Sequence, residues 1–541
     1  MGGDFFDYVV VGSGPAGCVL ADRLTAQGDM TVCVLEAGIP DRSPYIRIPA
    51  GFVKTLYKPG FTWPFQSEAG PGIGGRTIRL PQGRIVGGSS SVNGLVYNRG
   101  MAADFDDWAE QGNTGWGYRD VLPYFRRSER MVGEGDDEYR GRDGGLPITY
   151  PDWPSALCEA FIAGASELGI PRNPDYNGAS QEGVGYFQRI IHRGRRVSAA
   201  DAFLHPAIRR GRVTLWTEAQ ATQIVLDGRR ATGVLYRRGG QDRIVHARRE
   251  VVLSAGTLNS SRLLELSGIG AHSVLAAAGI PVLLDRPGVG ENLRDHFTAR
   301  IVARATPGTK TINEASRGWR LAREVARWAG GQPSILSLSP SLVHVFTHSA
   351  PGMNRTDLQV LFTPASYQEG KVYVLDEHPG MSAGARPQRP LSTGSAHVVS
   401  NDPFALAAVQ PNYMVHEEDR QGMVKALRLA RRLLETPAIR PFVAYETSPG
   451  PQVQTDDEWL DYAGRVGGTG YHLVGTCSMG PASNRQAVVG PDLRVHGLER
   501  LRVVDASIMP LLPSANTMAA SLMVAEKAAD MILGSGRAPS A

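Results

Sequence analysis

The chain has 541 residues, 42% of them hydrophobic, and its 64 glycines indicate a globular protein with many turns and room for two or three domains. The formal charge of +4 arises from 57 basic and 53 acidic residues without a basic block, so nucleic acid is not an expected partner. No uncharged stretch reaches the roughly 18 residues of a membrane span, so no membrane span is expected.

The cysteines and the first residues bear on location. Four cysteines (Cys18, Cys33, Cys158 and Cys477) are too scattered for a metal pair and too few for a disulfide scaffold, so neither a metal site nor a disulfide is predicted. The first residues lack the basic and apolar regions of a secretory signal. A cytoplasmic protein is therefore expected, as a monomer or a homodimer.

The first motif is FDYVVVGSGPAGCVLADRL. An apolar run leads into Gly12, Gly14 and Gly17, spaced as G-x-G-x-x-G, and a helical pattern follows. Glycines at these positions allow a tight turn, so that a pyrophosphate can bind at the positive end of the helix. The sequence therefore predicts a strand, a turn and a helix that bind a dinucleotide.

The second predicted strand, MTVCVLEAG, ends at Glu36, about 20 residues after the last glycine, where a ribose-binding carboxylate is expected. An acid here repels a 2′-phosphate, which argues against NADP. The fingerprint by itself leaves NAD and FAD open.

Two later stretches, GRIVGGSSSVNGLVYNRGMAADFD (83–106) and GTLNSSRLLELSGIG (256–270), resemble the signatures of the glucose-methanol-choline (GMC) oxidoreductases, flavoenzymes that oxidise alcohols. The resemblance continues through PGVGENLRDH (287–296) and GTGYHLVGTCSMG to about residue 532. It implies FAD as cofactor and an α/β fold, in which a Rossmann-like FAD-binding domain carries an inserted α+β substrate domain built on an antiparallel sheet.

Small residues dominate the loop at 87–90, where their amides and hydroxyls can approach a phosphate or the flavin ring. By resemblance, Asn93 lies beside the isoalloxazine and the backbone near Ala221 meets the adenine. Valine at position 92 stands where some relatives have a flavin-linking histidine, so the FAD is expected to be non-covalent. The predicted cofactor-binding residues are Gly12, Gly14, Pro15, Ala16, Gly17, Glu36, Ala37, Arg84, Gly87, Gly88, Ser89, Ser90, Asn93, Gly94, Val96, Ala221, Ala255, Gly256, Asp505, Ala506, Asn516 and Thr517.

Further along, alternating residues around Asp227 and Gly228 predict a hairpin, and REVVLSAGTLNSSRLLELSGIG predicts another parallel strand followed by a helix. The helix pattern EEDRQGMVKALRLARRLLE places Arg428, Arg431 and Arg432 on a face interpreted as solvated. The predicted division is an FAD-binding domain at 1–155, 196–300 and 465–541, with the substrate domain at 156–195 and 301–464.

The catalytic prediction rests on the glycine-rich run around His472. Oxidation of an alcohol by hydride transfer requires a base at the hydroxyl, and histidine suits that role near neutral pH. By resemblance His472 is this base, and Asn516 orients the substrate oxygen. A helix from Thr517 would direct its positive end toward the reduced flavin. His296 and His344 are interpreted as structural, although His344 could line the inner face of the substrate domain.

The substrate is predicted less directly. Because ILSLSPSLVHVF holds no carboxylate, choline is disfavoured, and LSPSLVHVF and HPGM resemble the bacterial 5-(hydroxymethyl)furfural oxidase and aryl-alcohol oxidase branch. Gly470 suggests extra room beside the flavin, which Phe346, Phe362 and Tyr367 could line. The leading hypothesis is an oxidase that converts a primary aromatic or furanic alcohol to the aldehyde and O₂ to H₂O₂. The alternatives are a dehydrogenase with a quinone or cytochrome acceptor and a non-redox flavoprotein.

Overall fold

The computed structural model describes residues 4–535, in which two seven-stranded sheets are the main elements. In chain order, their strands are β1 (Asp4–Val11), β2 (Val32–Leu35), β3 (Gly183–Tyr186), β4 (Val213–Trp216), β5 (Ala219–Asp227), β6 (Arg230–Arg238), β7 (Gln241–Leu253), β8 (Phe297–Ala305), β9 (Val343–Thr347), β10 (Leu358–Thr363), β11 (Gly380–Pro387), β12 (Val443–Ser448), β13 (Gly468–Thr469) and β14 (Leu501–Val503). Their longer helices are α1 (Pro15–Leu24), α2 (Ala102–Glu110), α3 (Tyr118–Ser128), α4 (Ala156–Glu167), α5 (Thr257–Leu266), α6 (Gly318–Ala329), α7 (Glu417–Glu435), α8 (Asp456–Val466) and α9 (Thr517–Ser535).

The first sheet has the order β4-β2-β1-β7-β6-β5, with β14 paired to β7. Pairs among β4, β2, β1, β7 and β14 are parallel, whereas β5 to β7 form an antiparallel extension. This confirms the predicted strand β1 and helix α1, the hairpin at Asp227, and the parallel strand before α5. At the first turn, a Cβ on Gly17 would lie 2.0 Å from the Gly12 carbonyl oxygen, so glycine is required for α1 to approach β1.

The second sheet, in the order β12-β8-β11-β10-β9-β3 with β13 paired to β8, is antiparallel throughout. Helix α7 packs on it through an apolar face that includes Met423, Leu427 and Leu434. The face of α7 with the three arginines was predicted to be solvated, but it is only partly so. Arg431 is only 12% exposed, pairs with Glu446 at 2.7 Å and stacks over Trp459, because α8 covers this part of α7. Arg428 and Arg432 are exposed.

Each sheet has its own hydrophobic core, and the two cores bury most of the large apolar side chains. The chain crosses between them several times, and β8 spans the domain boundary predicted at residue 300. The two-residue strand β13, from the segment assigned to the FAD-binding domain, pairs with β8 of the second sheet. The fold class is confirmed, and the boundaries remain a prediction.

The helices and the cysteines can be compared with the expectations about membrane spans and disulfides. Among residues 4–535, no helix is both long enough and apolar enough to cross a membrane. The four cysteines are free thiols inside the protein, and burial raises the pKa of each of them, that of Cys158 to about 12.

Candidate active site

One long cavity lies between the two sheets and collects nearly all of the predicted site residues. Its lining includes the carboxyl ends of β1, β2 and β7, the loop around residues 88–96, and the start of α9. Ligands bind at these strand ends in open α/β sheets. The predicted residues in the lining are Gly12, Gly14, Pro15, Ala16, Glu36, Ala37, Gly88, Ser89, Ser90, Asn93, Gly94, Val96, Ala221, Ala255, Gly256, His472, Asp505, Ala506, Asn516 and Thr517.

Three predicted cofactor residues do not line the cavity. Gly17 lies beneath the first turn, against Gly12. Gly87 donates its backbone N–H to the Ser13 carbonyl at 3.0 Å and so joins the small-residue loop to the first turn. The Arg84 guanidinium stacks 4.4 Å over the Trp63 ring, which is itself in the lining. These three residues support the wall of the cavity instead of forming its surface.

The carboxylate predicted to bind ribose is held in place by residues of the first turn and of the chain just after β2. Glu36 accepts hydrogen bonds from the backbone N–H and the hydroxyl of Ser13 and from the Gly38 N–H at 2.8 Å. Burial raises the pKa of Glu36, and the bonds from Ser13 and Gly38 oppose that rise. The carboxylate lies directly after the end of β2, where a ribose hydroxyl would be bound.

The small-residue loop makes room for a cofactor by close backbone contact. A Cβ on Gly88 would lie 2.6 Å from the Gly14 Cα, so any larger residue would separate the loop from the first turn. The Ser90 hydroxyl donates to the Gly87 carbonyl at 2.6 Å and accepts from the Ala199 N–H at 3.0 Å. The residues present thus fit a dinucleotide with a flavin, with backbone amides available for the phosphates.

A buried arginine that the sequence analysis missed fixes the loop beside the predicted flavin position. Arg196 donates to the Asn93 side-chain oxygen at 2.6 Å and to the Asn93 and Ser90 carbonyls at 2.8 and 3.1 Å. Burial lowers the pKa of Arg196 to about 9, so the guanidinium stays charged at neutral pH. No local sequence pattern links these residues, which lie about 100 positions apart.

The predicted catalytic pair is in direct contact. The Asn516 side-chain nitrogen lies 2.8 Å from His472 Nε2, and Asn516 directly precedes α9. Tyr471, just before His472, has φ of +65°, a left-handed conformation that is uncommon for a residue with a side chain. The chain therefore leaves the extended conformation just before His472.

A second histidine fixes the protonation state of the first. His296 Nε2 lies 2.6 Å from the Gln388 carbonyl, which can only accept, so His296 carries its proton on Nε2. Its Nδ1 is then an acceptor, and His472 Nδ1, at 2.9 Å, must be the donor. Neutral His472 is left with an unprotonated Nε2 toward Asn516. His296, interpreted from the sequence as structural, is therefore in direct contact with the candidate base and can select its tautomer.

Asp295, the neighbour of His296, holds the backbone of the same histidine. Its carboxylate accepts from the His472 N–H at 2.7 Å, from the Tyr413 hydroxyl at 2.6 Å and from the Thr469 hydroxyl. Burial raises the pKa of Asp295 to about 6 despite these bonds. The dipeptide Asp295-His296 thus positions both the main chain and the ring of His472.

Burial also lowers the pKa of His472 and of His296 well below the ordinary value, and the nearby charge of Arg386 acts in the same direction. Both imidazoles are therefore neutral at neutral pH. This is the protonation state in which the hydrogen-bond chain from Gln388 through His296 leaves a lone pair on His472 Nε2.

The second sheet supplies the wall opposite the predicted flavin position, and the predicted aromatic lining is only partly correct. Tyr367 lines the cavity, whereas Phe346 lies behind Phe187 in an aromatic cluster. Phe362 is on the opposite face of β10, stacked on Phe161 at 4.2 Å. His344 is buried among these rings, and burial lowers its pKa to about 3. The other lining residues from this side include Thr298, Arg300, Leu361, Thr363 and Arg386.

Gly470 does line the cavity, but the space beside it is already occupied. A Cβ at this position would lie 2.8 Å from the His296 Cβ and 3.0 Å from Arg386 Nη1. The predicted extra room is therefore wrong, because the Cβ of His296 and the guanidinium of Arg386 already lie where a side chain at position 470 would begin.

Known proteins of similar sequence and structure cover almost the whole chain. Family models described as GMC oxidoreductase match residues 6–298 and 390–525. Oxygen-dependent choline dehydrogenase of Brucella suis is 39% identical over 528 residues, which is 98% of this chain and 95% of the relative. The crystal structure of pyridoxine 4-oxidase from Mesorbium loti has a TM-score of 0.88 at 31% identity, covering 97% of this chain and 98% of that one. A fungal aryl-alcohol oxidase has a TM-score of 0.85 at 27% identity, covering 99% and 100%.

Proposed function

The chain belongs to the GMC oxidoreductase family, which acts on CH–OH groups with FAD, and we propose that it oxidises a primary aromatic or furanic alcohol to the aldehyde with O₂ as electron acceptor. The observation that carries the proposal is the unprotonated Nε2 of His472, directed into the cavity beside Asn516. A neutral imidazole in this tautomer can take the hydroxyl proton of an alcohol.

The chain's own residues perform the acid–base part of the reaction. The substrate hydroxyl competes with the Asn516 amide for the lone pair of His472, and the displaced amide can then donate to the substrate oxygen. His472 Nε2 receives the hydroxyl proton, while His296 accepts from His472 Nδ1 and stabilises the resulting imidazolium. FAD, held by the residues that line the cavity, would supply the hydride acceptor for the carbinol carbon.

We propose that the FAD is held without a covalent bond. Val92 stands in the loop where some relatives have a linking histidine, and this residue lines the cavity. Among the described residues, the lining contains no cysteine, and its single histidine is His472. Non-covalent contacts to the FAD would come from the backbone of the small-residue loop, from Glu36 and from the start of α9.

The choline dehydrogenases among the relatives offer a different substrate, and the cavity lining argues against it for this chain. A quaternary ammonium needs a carboxylate or an open aromatic cage, but the charged groups nearest His472 are Arg386 and the buried, hydrogen-bonded Asp295. A guanidinium in the same cavity repels a cation. Aromatic and furanic alcohols fit the ring of Tyr367 and the side chains of Phe187 and Leu361.

The decisive experiment is an anaerobic reduction of the purified yellow protein with benzyl alcohol, 5-(hydroxymethyl)furfural or choline, followed by air. We expect the flavin absorbance to bleach with the first two and not with choline, and to return within seconds with one H₂O₂ formed per flavin. Reduction by choline alone would overturn the proposed substrate class. Bleaching followed by slow return in air would instead make the chain a dehydrogenase with a quinone or cytochrome acceptor.

Location and assembly are part of the same proposal. Free, buried thiols are compatible with the cytoplasm. A monomer or homodimer is proposed for the assembly, and light scattering of the purified chain tests it directly.

A further inference from the structure

Two arginines stand on the wall of the cavity that faces the catalytic histidine. Arg300 on β8 pairs with Gly384 on β11, and Arg386 lies two residues further along β11. Because paired residues and alternate residues of a strand share a face, both side chains leave the same face of the second sheet. Both residues line the cavity, and Arg386 Nη1 lies 3.0 Å from the Cβ position of Gly470, two residues before His472.

Arg386 is buried without a counterion. It is 3% exposed, and its Nε donates to Gln359 Oε1 at 2.8 Å. Neither of its terminal nitrogens makes a hydrogen bond or an ion pair with any residue between 4 and 535. Burial lowers the pKa of Arg386 to about 10, so the guanidinium remains charged at neutral pH. A buried cation without a partner carries a large desolvation cost, which an anion in the cavity would remove.

Arg300 adds a second charge of the same sign. Its side chain is half-buried and lies over Gly384, whose absent Cβ would be 3.5 Å from the Arg300 Cγ. Within the described residues its guanidinium has no hydrogen-bond or ion-pair partner. The charge of Arg300 also lowers the pKa of Arg386, so the two guanidinium groups interact across the strand pair.

The acidic groups of the cavity do not neutralise this pair. Asp295, behind the lining, is the acid whose charge acts on Arg386 and offsets part of the positive charge, but it forms no ion pair with either arginine. Of the two acids in the lining, Glu36 accepts hydrogen bonds from Ser13 and Gly38, and Asp505 accepts them from Gly256 and Ser260. The end of the cavity beside His472 is therefore positively charged.

We propose that the substrate is an alcohol that also carries a carboxylate, which Arg386 binds with the help of Arg300 while the CH₂OH group lies at His472. A carboxylate matches the two terminal nitrogens of a guanidinium in a planar, two-bond contact. The inference rests on the proposed alcohol oxidation and narrows its substrate. In the reaction the hydroxyl proton would pass to His472, FAD would serve as the hydride acceptor, and the carboxylate would be unchanged.

The test compares charged and neutral substrates of the same shape. The holoenzyme is assayed with 3- and 4-(hydroxymethyl)benzoate and with the methyl ester of each, by the rate of flavin reduction and by kcat/KM. We expect kcat/KM of at least one acid to exceed that of its ester by about 10- to 100-fold, the range for a charge-assisted pair of hydrogen bonds. An ester preference, or no preference, would overturn the proposal.

Two variants locate the effect. Arg386→Met is expected to lower the acid-to-ester ratio by about 10- to 100-fold. Arg304→Met is the matched control, because Arg304 lies on the same strand as Arg300 but outside the cavity lining and pairs with Asp376 at 3.2 Å. That variant should keep the wild-type ratio. Equal losses with acid and ester in Arg386→Met would show that Arg386 only positions His296 or Asp295, and would reject the carboxylate site.

A binding measurement separates this inference from the proposed function. Benzoate, which has no alcohol to oxidise, is titrated into the oxidised holoenzyme and followed by its perturbation of the flavin spectrum. We expect saturable binding that weakens about tenfold or more in Arg386→Met and is unchanged in Arg304→Met. If no alcohol reduces the flavin, the proposed oxidation is wrong while this titration still decides the anion site. Absence of saturable benzoate binding, or equal binding by both variants, would reject it.

Discussion

In the proposed reaction, the chemistry of the site depends on one lone pair, that of His472 Nε2. A chain of hydrogen bonds runs from the Gln388 carbonyl through the imidazole of His296 to that of His472. It determines which nitrogen of each ring carries the proton. Burial, together with the nearby charge of Arg386, holds the candidate base in its neutral form, and the chain of hydrogen bonds selects its tautomer. Changes at single residues should therefore separate loss of the base from loss of its tautomer.

Removing the base should abolish flavin reduction while leaving the cofactor bound. In His472→Ala we expect the reduction rate constant to fall about 10²- to 10⁴-fold, as is usual for loss of a general base, with normal flavin content. Asn516→Ala should show a smaller loss, because the amide orients the substrate without taking its proton. Stopped-flow absorbance measures both. His378→Ala, an exposed histidine, is the control. Normal reduction by His472→Ala would refute the assignment.

His296 should act through the ring of His472. His296→Ala removes the acceptor of the His472 Nδ1 proton, so we expect reduction to slow about 10- to 100-fold and to recover partly with added imidazole. His344→Ala is a matched control, since it also deletes a buried imidazole but one without contact to His472. Similar losses in the two variants, without rescue, would make His296 a packing residue.

The pH profile should differ from that of an ordinary histidine. Because burial lowers the pKa of His472 below about 6.5, the base stays unprotonated as the pH falls from alkaline to neutral. The reduction rate should therefore stay constant over this pH range. Half of the rate should be lost only near pH 6, where Asp295 titrates, or below. Stopped-flow reduction across pH tests this. A half-point at or above about 6.5 would contradict the lowered pKa.

Protein stability should respond to acid in two opposing ways. Unfolded histidines bind protons below about pH 6.5 while His472 and His296 in the folded state do not, so the free energy of unfolding falls as pH falls through that value. Asp295 acts oppositely, because its raised pKa lets the folded state take up a proton between about 6 and 4, which the unfolded state does not.

At the scale of elements, the shape of the cofactor cavity depends on a close backbone contact between the small-residue loop and the first turn. Gly88→Ala would place a Cβ 2.6 Å from the Gly14 Cα and push the small-residue loop away from the first turn, so we expect most of the bound FAD to be lost. The ratio of flavin to protein absorbance measures this. Gly28→Ala shares the positive φ but meets no atom within 4 Å, and should cost only about 1 kcal/mol in backbone strain. Equal flavin loss in both variants would exclude the contact as the cause.

The elements themselves were largely predictable, and the contacts between them were not. Local patterns identify β1, the turn at Gly12 and the hairpin at Asp227, because each depends on residues close in sequence. His296 and His472 are 176 residues apart, and Arg196 lies 103 residues from Asn93. No periodicity reports such pairs. The substrate side was least predictable, since which face of a strand meets the cavity depends on the register of the whole second sheet.

At the scale of the molecule, the cavity joins two hydrophobic cores that the chain builds from interleaved segments. Its lining runs from Val11 to Ser521 and draws on both sheets. A dinucleotide bound there would contact loops of the first sheet along its length and face the second sheet at His472. The cofactor should therefore stabilise the folded protein as a whole, since it binds the folded chain and not the unfolded one.

Removing the cofactor tests this coupling and its non-covalent attachment together. Acid ammonium sulfate should release all flavin into the supernatant, and the apoprotein should melt several degrees lower, since ligand at 1,000 times Kd adds about 4 kcal/mol. Added FAD should restore the melting temperature. FMN is the control, because it lacks the adenosine that would reach Glu36, and it should restore less. Flavin retained in the precipitate would show a covalent link, and equal effects of FMN and FAD would remove Glu36 from the cofactor site.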